Sequence, residues 1–413
     1  MAKIIPFKAT RPTRDKSSLV ATRSYLSYSK KTLKEKLENN PYTFLHVINP
    51  DYSNKENKVK GKKKFSLIKK KFNDFINENI FIQDKIPTLY LYQQKMNDII
   101  FNGIICGSSI DDYLNGKIKI HEQTIAHREE MFKDYLDITG FNAEPILLTY
   151  PSKKEINDLI DKYLNTRPEY EFTTTNRSSH KLWLIQNKSD INKFQDSFKK
   201  INNLYISDGH HRLASSALLC LKKRKENPNF SGKENFNYCM SFLIAENQIN
   251  ILSYNRIVKD LNGLSINKFI ELVSKKYLVK KQSSQFIPKE RNEIGMYLDG
   301  NWYSLIFDVK SFNKNDCVDK LDPVILSKNI LDPILNIKDL RTNHRVDFID
   351  GKLTSKKIEE YVDNGKYSVA FLLKPIKVSD IKEVADKNKI MPPKSTYVEP
   401  KLRSGLIIYN IEE

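Results

Sequence analysis

Cysteine is scarce: the 413 residues hold four, Cys106, Cys220, Cys239 and Cys317. They are far apart, none forms a CxxC pair and none has a histidine at metal-ligand spacing, which argues against a disulfide framework and a zinc site. Cys106 and Cys220 sit in apolar runs and read as small core residues. Long apolar runs are also missing. Nothing approaches the ~20 residues of a membrane-spanning helix, and the opening MAKIIPFKATRP lacks the apolar stretch of a signal peptide. The expectation is a cytoplasmic protein with no membrane partner. An internal repeat, a P-loop and a GxGxxG are all lacking, and no Ser/His/Asp order stands out.

What is abundant is positive charge, +19 in formal terms. Taken literally it invites nucleic acid. The excess is lysine, beside much Asn and Ile, the bias of an AT-rich coding sequence. Much of it falls in runs such as 58–71, KVKGKKKFSLIKKK, which read as solvated surface. Its use is then to hold a polyanionic small molecule, with nucleic acid kept as an alternative partner. Oligomeric state is not legible. At ~100–200 residues per compact unit the length allows two or three. The expected division is an N-terminal α+β region over 1–100, a core over 101–225, and a C-terminal α+β region over 226–413.

Apolar periodicity places the elements. Residues 65–79 carry Phe65, Ile68, Phe72, Phe75 and Ile76 at helical spacing. Strands are expected at 43–48 (TFLHVI), 88–93, 98–108 with Asn102-Gly103 as turn or bulge, 146–150 and 180–185. Ser152 and Glu155 are spaced as a capping box for a helix over 152–164. Residues 236–243 and 248–254 read as a paired hairpin, ended by Arg256 and Lys259. Alternating strands and helices from Ile104 to Leu221 argue a mixed α/β fold.

The stretch 204–216, LYISDGHHRLASS, holds the densest chemistry. A buried strand end (Leu204-Tyr205-Ile206) runs into Ser207, Asp208 and Gly209, and then His210, His211 and Arg212 open a helix. The first N–H groups of a helix lack partners and its dipole favours negative charge, so this junction makes an anion site. Arg212 adds a planar fork suited to phosphate oxygens. Asp208 can cap the helix, hold magnesium or take a proton. The structural alternative is a plain cap with surface histidines. A second stretch, 112–130, puts His121-Glu122-Gln123 where a short strand hands over to a helix. Glu122 there is either a functional carboxylate or a first-turn acid favoured by the dipole. The tail 391–405, MPPKSTYVEPKLRSG, alternates proline with Lys394, Ser395, Thr396, Lys401, Arg403 and Ser404. It reads as folded back on the body, over a ligand or as a polar strap.

DGHHR at 208–212, after an apolar strand and before a helix, resembles the signature of the ParB/sulfiredoxin-like nucleotide-binding fold. The whole chain resembles the bacterial family known as domain of unknown function 1015, through NPYTFLHVINPD, NGKIKIHEQT, NAEPILLTY, LYISDGHHR, ILSYNRIVKDLNG, RTNHRVDFIDG and MPPKSTYVEPKLRSGL. The chain departs from that family at 19–28, LVATRSYLSY, where a PPYD-like motif is usual. Free-serine kinases of the same fold pair a HEQ segment with a downstream DGHHR, and this chain has both in that order. The resemblance implies a ParB/sulfiredoxin-like core with N- and C-terminal elaborations. It implies phosphorylation of free L-serine, or a similar small hydroxy compound, from ATP or ADP with Mg2+. Glu122 would act as base on the hydroxyl, and Asp208 would assist and hold the metal. Gly209, His210, His211 and Arg212 would cradle phosphates. His121, Gln123, Lys394, Ser395, Thr396, Lys401 and Arg403 are the substrate-binding candidates. The competing reading is a ParB-like nucleotide-binding regulator acting on DNA. A sulfiredoxin-like reductase would need a reactive thiol near the loop, with Cys220 the nearest in sequence.

Overall fold

The structure is a computed structural model that describes residues 1–24, 27–52, 59–308 and 316–412. Tyr25 and Leu26 of the divergent 19–28 segment lie outside the described residues. The chain forms two compact units. The first comprises Met1–Lys119, Thr124–Ile249 and Pro400–Glu413; the second comprises Ile120–Gln123 and Asn250–Glu399.

The fold is mixed α/β. In the first unit the main sheet runs Ile118–Lys119, Leu204–Asp208, Ile146–Tyr150, Tyr238–Ala245, Ile99–Ser109, Leu89–Met96, Ser179–Ile185, Tyr170–Thr173, with Ile4–Ile5 added beside Ile99–Ser109. Two pairings are parallel, Leu204–Asp208 with Ile118–Lys119 and Tyr238–Ala245 with Ile146–Tyr150. Period-two alternation puts Leu89 and Leu91, Ile104 and Cys106, and Leu204 and Ile206 into one core. There they meet Ile156 and Ile160, Phe194 and Phe198, and Leu213 and Ala217 from three helices. Each such large side chain stabilises the fold by roughly 1.5–3 kcal/mol on burial. A smaller sheet holds Phe81–Gln83, Ala9–Pro12, Ile408–Asn410 and Phe141–Asn142. It caps an aromatic cluster of Phe44, Phe72, Phe75, Phe81 and Phe141 on the helix Gly61–Asn77. The end of the chain is therefore an inner strand, which fixes the segment before it.

The second unit is built on an antiparallel sheet, Tyr277–Gln282, Asn301–Phe307, Glu293–Leu298, Val369–Leu373, Tyr254–Val258, Val346–Asp350. Both faces are covered. Val258, Met296, Leu305 and Phe371 pack with Phe269 and Val273 of the helix Ile266–Ser274. Ile257, Tyr297, Trp302 and Leu372 pack with Ile358 and Val362 of Ser355–Asp363. A two-stranded ribbon joins Asn250–Leu252 to Tyr397–Glu399.

Several local expectations are corrected. Residues 43–48 hold a helical turn, Leu45–Ile48, because Phe44, Leu45 and Val47 are all buried, which a half-buried strand cannot arrange. Asn102-Gly103 is strand interior. Gly103 is needed because a Cβ would come within 2.5 Å of the Phe242 ring and 2.6 Å of the Leu243 carbonyl. The hairpin instead turns at Asn97, φ 52°. The Ser152/Glu155 capping box is not formed; the helix starts at Lys154, and Ser152 Oγ accepts from Asn157 Nδ2 at 3.1 Å. The expected 236–254 hairpin is split between the units. Tyr238–Ala245 is buried throughout and already flanked on both sides, so it has no edge for the following strand. Across residue 100 the chain stays in one sheet, because Leu89–Met96 pairs with Ile99–Ser109. All four cysteines are buried and free. No helix among the described residues is long and apolar enough to cross a membrane.

Candidate functional site

The strand Leu204–Asp208 ends in a register shift between Ile206 and Asp208, a bulge that re-aims the last side chain. Gly209 follows with φ 98°, a conformation that disfavours any side chain. A Cβ there would also lie 3.0 Å from Ile146 Cγ2 and 3.1 Å from Arg212 Nε. The helix His210–Glu226 then begins at once, with Gly209 as its N-cap residue. The side chain of Asp208 is not the cap, because its carboxylate is committed elsewhere: Arg212 Nη2 donates to Oδ2 at 2.8 Å and Lys401 Nζ to Oδ1 at 2.8 Å.

Arg212 is held at three points. Besides Asp208, its Nη1 donates to the Pro145 carbonyl at 2.6 Å and lies 3.8 Å from Glu144 Oε2. Glu144 in turn accepts from Ser404 Oγ at 2.6 Å. Ser404 pairs through its backbone with Thr22. Burial acts to raise the Asp208 carboxyl, but Lys401 and Arg212 outweigh it and hold the group well below the usual carboxylate range. The pairs are partly open to solvent, with Lys401 at 40% and Arg212 at 26% side-chain exposure, so each adds only ~0–1 kcal/mol to stability. Their effect is on geometry. One carboxylate sets two cations beside the start of a helix.

His210 is buried and adds to the positive field on Asp208. Burial and the nearby Arg128 hold His211 below its ordinary value, and its Nδ1 is buried without a hydrogen-bond partner among the described residues. Of the tail candidates, Lys401 reaches this loop. Arg403 turns to another place in the same unit, donating to Thr174 Oγ1 at 3.1 Å, Asn176 Oδ1 at 2.9 Å and His180 Nε2 at 3.3 Å. Burial and Arg403 push His180 down to about 3, and its Nδ1 meets the Tyr92 hydroxyl at 2.7 Å.

The other candidates belong to the second unit. The buried His121 accepts at its carbonyl from Met391 N at 2.8 Å, and Gln123 Oε1 accepts from Arg341 Nη2 at 3.4 Å. Glu122 between them is half-buried. Lys394 Nζ lies 5.3 Å from the centre of the Tyr254 ring, and Ser395 Oγ donates to the Pro392 carbonyl at 2.7 Å. Thr396 is half-buried just before the strand Tyr397–Glu399. Glu144, Pro145 and Ser404 were not among the expected site residues. The signal for Glu144 and Pro145 was the polar Asn-Ala-Glu-Pro step before a buried strand, and Ser404 stood among the polar residues of the tail.

The described residues contain no cluster of three His, Cys, Asp or Glu that could hold a metal ion. Both oxygens of Asp208 already take cations. This donor set does not fit a resident magnesium ion, and the expectation of one on Asp208 is corrected accordingly. Nor does Cys220 supply a reactive thiol: burial pushes it up to about 11.

By fold and local chemistry this is a mixed α/β protein with a glycine-initiated helix start flanked by paired cations. It belongs to the family described as protein of unknown function (DUF1015), which matches residues 4–324. No curated protein matches the chain. Solved structures with similarity to it include a free serine kinase in complex with AMP, at 12% identity and a TM-score of 0.36 over 74% of this chain and 91% of that one. Another is SbnI with a C-terminal truncation from Staphylococcus aureus, at 14% identity and a TM-score of 0.37 over 71% and 82%. A conserved hypothetical protein from Pyrococcus furiosus is similar at 13% identity and a TM-score of 0.34 over 73% and 91%.

Proposed function

We propose that this chain is a nucleotide-dependent phosphotransferase acting on a small hydroxy compound, with free L-serine as first candidate and ATP or ADP as donor. The observation that carries the reading is the junction at Asp208–Arg212. There a left-handed glycine opens a helix, and Arg212 and Lys401 converge on an ionised carboxylate beside its first N–H groups. Phosphoryl transfer needs positioning and charge neutralisation more than covalent help from the protein. The N–H groups at a helix start and a guanidinium fork are suited to both for a phosphate. Asp208 is too acidic to serve as a base at neutral pH. In this reading it is a positioning residue that holds Arg212 and Lys401 ready. Magnesium arrives with the nucleotide as part of the substrate. The acceptor oxygen attacks the terminal phosphorus, the bond to the leaving nucleotide breaks, and the hydroxyl proton goes to Glu122. The role of Glu122 rests on the resemblance of His121-Glu122-Gln123 to the kinase motif.

The test is to incubate the full-length protein with L-serine, magnesium and either ATP or ADP, and to look for O-phosphoserine by mass spectrometry. Product is expected from the wild type, with losses of ~100- to 10,000-fold in Glu122→Ala and a clear fall in Asp208→Ala. Absence of product with both donors removes serine as acceptor. The net charge of +19 keeps a DNA-acting regulator as the second reading. That reading requires binding to DNA that weakens steeply with salt.

A further inference from the structure

Arg256 lies in the strand Tyr254–Val258, between Val346–Asp350 and Val369–Leu373. It is 0% exposed. A guanidinium buried so fully ordinarily brings a charge partner with it. Arg256 has no carboxylate partner among the described residues. Nη1 donates to the Tyr254 carbonyl. The guanidinium carbon lies 5.2 Å from the centre of the Phe348 ring. Nε and Nη2 have no hydrogen-bond acceptor. These two nitrogens share one edge of the planar group, and that edge takes two oxygens of an oxyanion side by side. Burial pushes the guanidinium down to about 9, so it is still charged at neutral pH.

We propose that the second unit holds an enclosed carboxylate-binding site anchored on the Nε/Nη2 edge of Arg256. The amount of charge selects the ligand class. A carboxylate brings one negative charge and two coplanar oxygens, matching one buried guanidinium edge. A phosphate dianion would leave surplus charge in a fully covered place, and a water molecule would leave the positive charge unanswered. Aromatic rings continue from Phe348 along the same unit. The Tyr254 ring stands edge-on to Phe348 at 6.3 Å and to Tyr397 at 5.5 Å. Lys394 lies against Tyr254 with φ 57°, a left-handed backbone that a lysine holds only where its surroundings fix it. Its exposed ammonium has no ion-pair partner among the described residues. The site is independent of the phosphotransfer reading, because it lies in the other unit and takes a different anion.

Calorimetric titration of the full-length protein with acetate, L-lactate and inorganic phosphate tests the assignment. Saturable binding of a carboxylate, and none of phosphate, is expected for the wild type. Arg256→Lys keeps the charge and loses the fork, so binding should fall roughly 10- to 100-fold, the loss of a charge-assisted hydrogen bond. Arg256→Met should abolish it. Binding of phosphate alone, binding of neither carboxylate, or unchanged affinity in Arg256→Lys overturns the proposal. Should Arg256→Met not fold, Arg256→Lys decides.

Discussion

Two arginines, one in each unit, are buried to nearly the same degree and treated in opposite ways. Arg11, 6% exposed, donates to Asp84 at 2.9 Å, Glu169 at 3.0 Å and the Tyr170 hydroxyl at 2.6 Å. Burial acts to lower its pKa, but Tyr170 and Asp84 outweigh burial and raise it. Arg256 has a carbonyl, an aromatic face and an unpartnered edge, and burial lowers it. The difference separates two uses of a buried cation. Where the fold supplies every acceptor, the charge is a strut. Where it withholds them, the missing acceptor is a ligand. Arg212 stands between these cases, tied to Asp208 and to the Pro145 carbonyl yet 26% open at the start of a helix.

The sharpest way to break the comparison is Arg11→Met. It would leave Asp84 and Tyr170 buried without their partner, and urea unfolding should show a loss of ~3–5 kcal/mol. A change below 1 kcal/mol would mean that full pairing is not what makes Arg11 structural. Gly209→Ala comes next, with a cost of ~1–3 kcal/mol for placing a side chain at φ 98° and against Arg212. Unaltered stability there would show that the turn can relax. His180 gives a smaller effect with a definite sign. Its folded value is pushed down to about 3, below an unfolded value near 6.5. The unfolded chain therefore binds more protons between these values, so stability is lost as pH falls from ~6.5 toward 3. Melting measured from pH 7 to 5 should fall less steeply in His180→Gln; parallel curves would contradict the assignment. The smallest effect is expected for Arg256→Met without ligand. Replacing an unpartnered buried charge by an apolar side chain of similar volume should leave stability within ~1 kcal/mol or raise it. A large loss would make Arg256 a strut like Arg11.

What the sequence made legible was local. The apolar run ending in Asp208-Gly209 and the helix behind it follow from composition and turn chemistry, whereas the contact of Lys401 with Asp208 is seen only in the folded chain. Short apolar runs were the weak point. Residues 43–48 and 248–254 fit more than one element, and tertiary burial and the availability of a sheet edge decided between them. The partners of a charge were not legible at all. Arg256 reads as one more basic residue at the end of a strand, and only the packed structure places it at 0% exposure with an open edge. Arg403 looked like a neighbour of Lys401 in function, yet two residues along an extended tail it meets different partners.

The central claim is that the Asp208–Arg212 junction receives nucleotide phosphates while Arg256 does not. Titration of ADP and ATP into the wild type, Arg212→Met and Arg256→Met tests it most directly. The account predicts saturable binding in the wild type and in Arg256→Met, and a loss of ~10-fold or more in Arg212→Met, the contribution of a charged hydrogen-bonding fork. Equal nucleotide affinity in the wild type and Arg212→Met, or no binding by the wild type, would contradict it.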